Sequence, residues 1–210
     1  MKTIFLISAG ALLLATTACT KNAADRLSDD ESRIYITNHD ETAAFTSYST
    51  FSIADSVALI DNNQFTKRER TPFDAQLIDA FVAQMQQKGY TRVAANANPD
   101  LGITVNRVYN DYSGLINYGD YWNYYGGYWD PYYWGYPGYS YYYPSFYGVY
   151  TITDGAIQAD MVDLKNAASS NKLKVIWDGM IRGAGTFDQS KIDQNVSALF
   201  TQSDYLKTNQ

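Results

Sequence analysis

Cysteine and histidine are almost absent: the 210 residues include one of each, Cys19 and His39. A lone thiol excludes an internal disulfide even in an oxidising compartment. A lone imidazole, set beside Asp40 and Glu41 in what reads as a polar turn, removes the usual transition-metal ligand set, so no metal and no cofactor is expected. Basic clusters are missing too. The formal charge is −6, and the one basic run, Lys67-Arg68-Glu69-Arg70, is broken by a glutamate. Such a chain has little with which to displace counterions from phosphates, so nucleic acid is not an expected partner. No stretch beyond the first residues approaches the ~18 apolar residues of a spanning helix. A nucleophilic triad is not indicated either, because nothing in the sequence brings Ser190, Asp193 and His39 together.

What is present begins at the N-terminus. Lys2 precedes an apolar run over residues 4–15, which ends in Thr16-Thr17-Ala18-Cys19. A short charged start, an apolar centre and small residues at the end have the form of a secretory signal. The four last residues resemble a bacterial lipobox, departing from its commonest form only at the third position before the cysteine. That resemblance implies a diacylglycerol on Cys19 and cleavage before it, leaving 192 residues of formal charge −7 once Lys2 is lost. Residues 20–31 are polar and charged and read as a tether between lipid and domain. Threonine, not aspartate, at position 20 removes the inner-membrane retention signal of enteric bacteria. The expected address is the cell envelope, at the outer membrane. The expected organisation is a signal at 1–18, a lipidated tether at 19–31 and one domain at 32–206.

Within that domain, strands are expected at 33–37 and 48–53, the second extended by 56–60. Thr71-Pro72-Phe73-Asp74 is a helix start: Thr71 caps, Pro72 suits the first turn and Asp74 closes a capping box. Leu77, Ile78, Phe81, Val82 and Met85 follow as one apolar face, and Lys88-Gly89 ends the helix. Asp74 and Asp79 point different ways and read as capping and solubility residues. Residues 100–109 form a strand with Leu101, Ile103 and Val105 on one face, where Val108 interrupts the alternation as a bulge or an end. Residues 149–153 and 155–165 read as one long strand, or as two interrupted by Asp154-Gly155, with 172–183 as the return strand of a hairpin. Ile157, Ala159 and Met161 share a face on the first strand. Leu173, Val175, Trp177 and Ile181 share one on the second, opposite Lys172, Lys174, Asp178 and Arg182. Asp163 is expected to pair with Lys172 or Lys174. Asp188 caps a last helix carrying Ile192, Val196, Leu199 and Phe200. These elements define an α+β fold, an antiparallel or mixed sheet with two helices on one face.

One segment departs from this pattern. Residues 112–150 hold fifteen of the twenty tyrosines, three of the four tryptophans, seven glycines and three prolines. No period of 2 or 3.6 persists, so the segment reads as a long Tyr/Gly-rich loop inserted in the domain. Tyrosine and tryptophan supply rigid amphipathic area at low entropic cost. The loop is therefore either a recognition surface or a cover folded over a sheet face. The candidate ligand-binding residues are Trp122, Tyr125, Trp129 and Trp134, with Asp120 and Asp130 as polar neighbours of the rings. A glycan, peptidoglycan or another envelope protein is the partner this surface suits.

The order of elements resembles the bacterial lipoproteins catalogued as domain of unknown function 4136. The resemblance rests on Gln87-Lys88-Gly89-Tyr90, on Asn98-Pro99-Asp100-Leu101, on the aromatic interruption, and on the hairpin from Ile157 through Asp163 to Val175-Ile176-Trp177-Asp178-Gly179. The helix after Asp188 completes it. Two departures stand out: the polar Asn62-Asn63-Gln64 and the length of the tyrosine-rich loop. The resemblance implies an envelope protein without established catalytic residues. The leading reading is a non-enzymatic, lipid-anchored binding or scaffolding protein. The opposing one is an envelope polysaccharide hydrolase, whose two carboxylates must face each other across a cleft. Asp120, Asp130 and Asp154 are its candidate acids.

Overall fold

Alternating aliphatic residues lay down three long strands, β6 (Leu101–Tyr109), β10 (Ala156–Asp163) and β11 (Lys172–Arg182), around which the other elements assemble. The computed structural model describes residues 28, 32–61, 64–109, 112–117, 131–143, 147–152 and 155–208. The remaining strands are β1 (Ile34–His39), β2 (Thr50–Ile53), β3 (Val57–Asp61), β4 (Gln64–Glu69), β5 (Thr91–Arg92), β7 (Tyr112–Asn117), β8 (Ser140–Tyr142) and β9 (Tyr147–Ile152). The helices are α1 (Pro72–Gln87), α2 (Ala167–Ser170) and α3 (Ile192–Thr201).

The main sheet is nine-stranded and mixed, with the path β1-β11-β10-β6-β2-β5. β1, β11, β10 and β6 are antiparallel neighbours, whereas β2 and β3 both run parallel to β6. β2 lies beside the first part of β6 and β3 beside the last part, so the break at Ala54–Ser56 makes two short strands of one edge. β4 closes against β3, and β8 adds to β11 in parallel. Strands β7 and β9 pair with each other, apart from this sheet.

Helices α1 and α3 pack together on one face. The capping box of α1 is formed as the residues require: Asp74 N–H donates to Thr71 Oγ1 and Thr71 N–H donates to Asp74 Oδ2. Gly89 follows the helix at φ +94°, a left-handed conformation that glycine adopts at least cost. Under the helices lie Phe51, Leu77, Phe81, Met85, Leu101, Ile103, Met161, Trp177 and Phe200, all at most 1% exposed. Asp74 does more than cap. It is fully buried and pairs with Arg107 at 2.9 Å, and Arg107 also reaches Glu69.

The second sheet face is also covered. Ile60, Val108, Val162, Leu173, Val175 and Met180 form a second core with Trp134, Tyr141 and Tyr143 from the aromatic segment. Val108 is therefore neither a bulge nor an end; it packs on the face opposite Val105, and β6 continues to Tyr109. The bulge lies in the hairpin instead. Met161 faces Trp177 but Val162 faces Val175, so Ile176 is the extra residue. A bulge reverses side-chain parity along a strand. Leu173 and Val175 therefore enter the second core while Trp177 and Ile181 enter the first, correcting the single face expected for all four.

Other local expectations change as well. His39 is the last residue of β1, half-buried and stacked on Tyr205 at 3.8 Å, not a turn residue. Asp163 faces Lys174 in register, yet its carboxylate accepts from Asn166 N and Nδ2 at 3.0 and 2.7 Å, and Lys174 pairs with Asp40. Asp188 caps the 3₁₀ turn Gln189–Lys191 that leads into α3.

Candidate functional site: an aromatic groove and a buried acid row

Pro131 and the glycines after it shape the described part of the aromatic segment that lines a groove. Pro131–Trp134 make a 3₁₀ turn, and Gly135 and Gly138 then take φ of +82° and +81° to turn the chain back. The Tyr136 hydroxyl donates to Leu164 O at 2.9 Å, tying this turn to the end of β10. On the other side stands the small-residue loop before β6. Its position is set by Asp100, whose Oδ2 accepts from Ser49 and Thr50 N–H at 2.7 and 3.2 Å, while its carbonyl accepts from Leu164 and Lys165. Asn98 supports the bend at φ +50°, which asparagine tolerates better than most residues.

Between these two walls lies a groove of roughly 630 Å³, lined by Asn96, Asn98, Tyr132, Tyr133, Trp134 and Tyr136 among others. Tyr133 stands edge-on to Trp134 at 4.8 Å, and the Arg68 guanidinium lies 5.7 Å from the Tyr133 ring. Burial, then the nearby Asp55 charge, raises the Tyr133 phenol above its ordinary value. Trp134 is buried against Gly102 of β6, where a Cβ would come within 3.1 Å of the indole. Its Nε1–H is buried and has no hydrogen-bond partner. Tyr132 is 72% exposed at the rim. None of the described residues that line the groove is an aspartate or glutamate.

A second polar feature lies on the same sheet face. Asp160 of β10 stands directly opposite Asp178 of β11. Both are buried, at 1% and 2% exposure. Burial pushes the Asp178 carboxyl up to about 7. Burial and then the Asp178 charge hold Asp160 well above the usual carboxylate range. These are the two facing acids with raised pKa that catalysis would use, but they are shielded from solvent and separate from the groove lining.

Of the residues expected from the sequence, Trp134 lies in the groove, buried in its lining. Trp122, Tyr125, Trp129, Asp120 and Asp130 lie outside the described residues, as do Cys19 and Asp154. Sequence reasoning missed Asn96, Asn98, Tyr132, Tyr133 and Tyr136 as a group, and Asp160 with Asp178 as a pair. The pair left a signal. Ala156 and Val162 share parity with Asp160, so β10 is apolar on both faces, the mark of a strand buried on both sides.

The fold and groove define a class: an α+β protein with helices on one sheet face and an aromatic segment over the other. The chain belongs to the DUF4136 family, a domain of unknown function whose description matches residues 36–203. The crystal structure of a DUF4136 family protein from Bacteroides thetaiotaomicron is similar to it, with 28% identity and a TM-score of 0.69 over 85% of this chain and 99% of that one. A PDZ domain protein from Parabacteroides distasonis shares 12% identity at a TM-score of 0.45, over 84% of this chain and 37% of that one. That likeness is too slight to speak even for the fold. No curated protein matches the chain.

Proposed function

We propose that the protein is a non-catalytic binding protein of the bacterial cell envelope, held at the outer membrane by lipid on Cys19, and that its groove takes a neutral saccharide. The observation that carries this reading is the groove itself. Tyr132, Tyr133 and Tyr136 offer rings in front of the buried Trp134, and Asn96 and Asn98 offer amides, with no charged side chain among the described lining residues. Sugars present apolar C–H faces and hydroxyl edges, which is the complement of that surface. Envelope glycans and peptidoglycan fragments supply such ligands. A glycosidase needs two carboxylates about the bond it cleaves, and the described lining residues supply none.

The test is a glycan and peptidoglycan-fragment screen of the Cys19→Ser chain, read by titration calorimetry. Tyr132 is exposed at the rim, so Tyr132→Ala spares the fold. It is expected to weaken the best ligand by about fivefold or more, the loss of an aromatic anchor worth over ~1 kcal/mol. Unchanged affinity would remove the groove from the account. Selective capture of an envelope protein instead, with no sugar bound, would point to a protein partner.

The anchor has its own test. Lipid chains hold by roughly 0.8 kcal/mol per buried methylene. Cys19→Ser is therefore expected to release the protein from membranes into the soluble fraction. Carbonate-resistant association of that variant would contradict lipid attachment.

A further inference from the structure

Four neighbouring strands align polar side chains in one row across the second sheet face. Asn38 of β1 faces Asp178 of β11, Asp178 faces Asp160 of β10, and Asp160 faces Thr104 of β6. One step along, Gln158 faces Asn106. Thr104, Asn106, Gln158, Asp160 and Asp178 are all at most 2% exposed.

The hydrogen bonds within this row do not satisfy it. Asn38 Nδ2 donates to Asp178 Oδ1 at 2.9 Å, and Gln158 Nε2 lies 3.4 Å from Asp160 Oδ1. Asp160 Oδ2, Asp178 Oδ2, Gln158 Oε1 and both amide atoms of Asn106 are buried without a partner. Among the described residues no ion pair reaches either carboxylate. Ionised, two such carboxylates without a counter-charge would be among the costliest arrangements a core can hold. The Asp74–Arg107 pair on the other face shows the ordinary solution, a cation supplied by the chain. Here the described residues supply none.

We infer that this row is the binding site of one hard divalent cation, calcium by class, held by the carboxylates of Asp160 and Asp178 with the amide oxygens of Gln158 and Asn106 beside them. Two carboxylates balance one dication. The donors are all oxygen, the set that suits calcium, magnesium or manganese and not the softer metals. Magnesium keeps several of its waters, which disfavours it in a row so fully buried. The oxygen and nitrogen of an amide exchange places by a half-turn of the group, so Gln158 can turn its oxygen to the ion. No three His, Cys, Asp or Glu side chains gather among the described residues; only two acids meet here, and the other donors are neutral.

The test uses the full chain, unfolded in urea with a chelator and refolded in calcium, magnesium, manganese or chelator alone. Elemental analysis after gel filtration should find one calcium per chain. The unfolding midpoint in calcium at a hundredfold excess over Kd should rise by roughly 5–10 °C above the chelated protein. Asp160→Asn and Asp178→Asn should each abolish both signals, and Asp79→Asn on the exposed side of α1 should keep them. Wild-type protein that retains no ion and shows the same midpoint in every refolding condition would overturn the inference, and this readout needs no variant to fold. Calcium retained equally by Asp160→Asn and Asp178→Asn would overturn it too, by placing the ion elsewhere.

Discussion

Trp177→Ala is expected to cost about 3–5 kcal/mol of stability, the range for an aromatic removed from a packed core. The indole is fully buried in the first core beside Phe200, with ring centroids 5.8 Å apart. Its Nε1–H donates to Ser203 Oγ at 3.0 Å, joining β11 to the chain just beyond α3. The ring also lies over Gly179, where a Cβ would come within 2.5 Å of Cη2. Alanine opens a cavity and removes one of the two donors to Ser203 Oγ, leaving only the Tyr205 hydroxyl at 3.3 Å, so the rigid surroundings cannot close over the loss cheaply. Urea unfolding followed by far-UV circular dichroism reads the effect as a fall in midpoint. An unchanged midpoint would mean that the indole is not part of the core.

In chelator, the protein is expected to become more stable as the pH falls from 8 towards 4, against the usual direction of acid denaturation. Burial raises the carboxyls of both Asp160 and Asp178. Unfolded aspartates titrate at about 3.9, so the folded chain holds these protons more tightly than the unfolded one. Their contribution is full below the unfolded value and is lost as pH rises through the folded value, about 7 for Asp178. At ~1.4 kcal/mol per pKa unit the change is on the order of several kcal/mol. Asp40 acts in the other sense. Burial raises its carboxyl, but Lys174 and Thr42 together hold it below its ordinary value. Its contribution is present above the unfolded value and is lost only as pH falls through a lower one. The window from about 4 to 7 therefore belongs to the buried pair. Asp178→Asn keeps the row neutral at that position, and should flatten the window and raise the midpoint at pH 8. An identical pH profile in the variant would show that Asp178 titrates as an ordinary exposed acid.

The fold was largely legible because its signals are local. The cap at Thr71-Pro72-Asp74, the apolar stripe of α1, and the alternation in β6 and β10 each depend on residues a few positions apart. The parity of β11 was not legible. Its reversal at Ile176 depends on which residue of β10 faces which, and both Leu173-x-Val175 and Val175-x-Trp177 satisfy an alternating pattern. The candidate site was legible in one residue. Trp134 stood out by composition, but the asparagines that share its groove come from a loop before β6 whose position is set by Asp100 and Leu164. Asp178 stood among Lys172, Lys174 and Arg182 and read as solvent-facing for that company. Only the second cover over the sheet makes it buried, and the tyrosines that form that cover carry no period from which their fold could be read.

Trp134 has two duties that cannot be separated. Its indole lies on β6 at Gly102 and seals the second core, and it also lines the groove. Whatever settles against that ring braces the sheet beneath it. Occupancy at the surface and cohesion of the interior thus share one equilibrium, and a bound partner should slow hydrogen exchange in β6 and β10, strands it never touches.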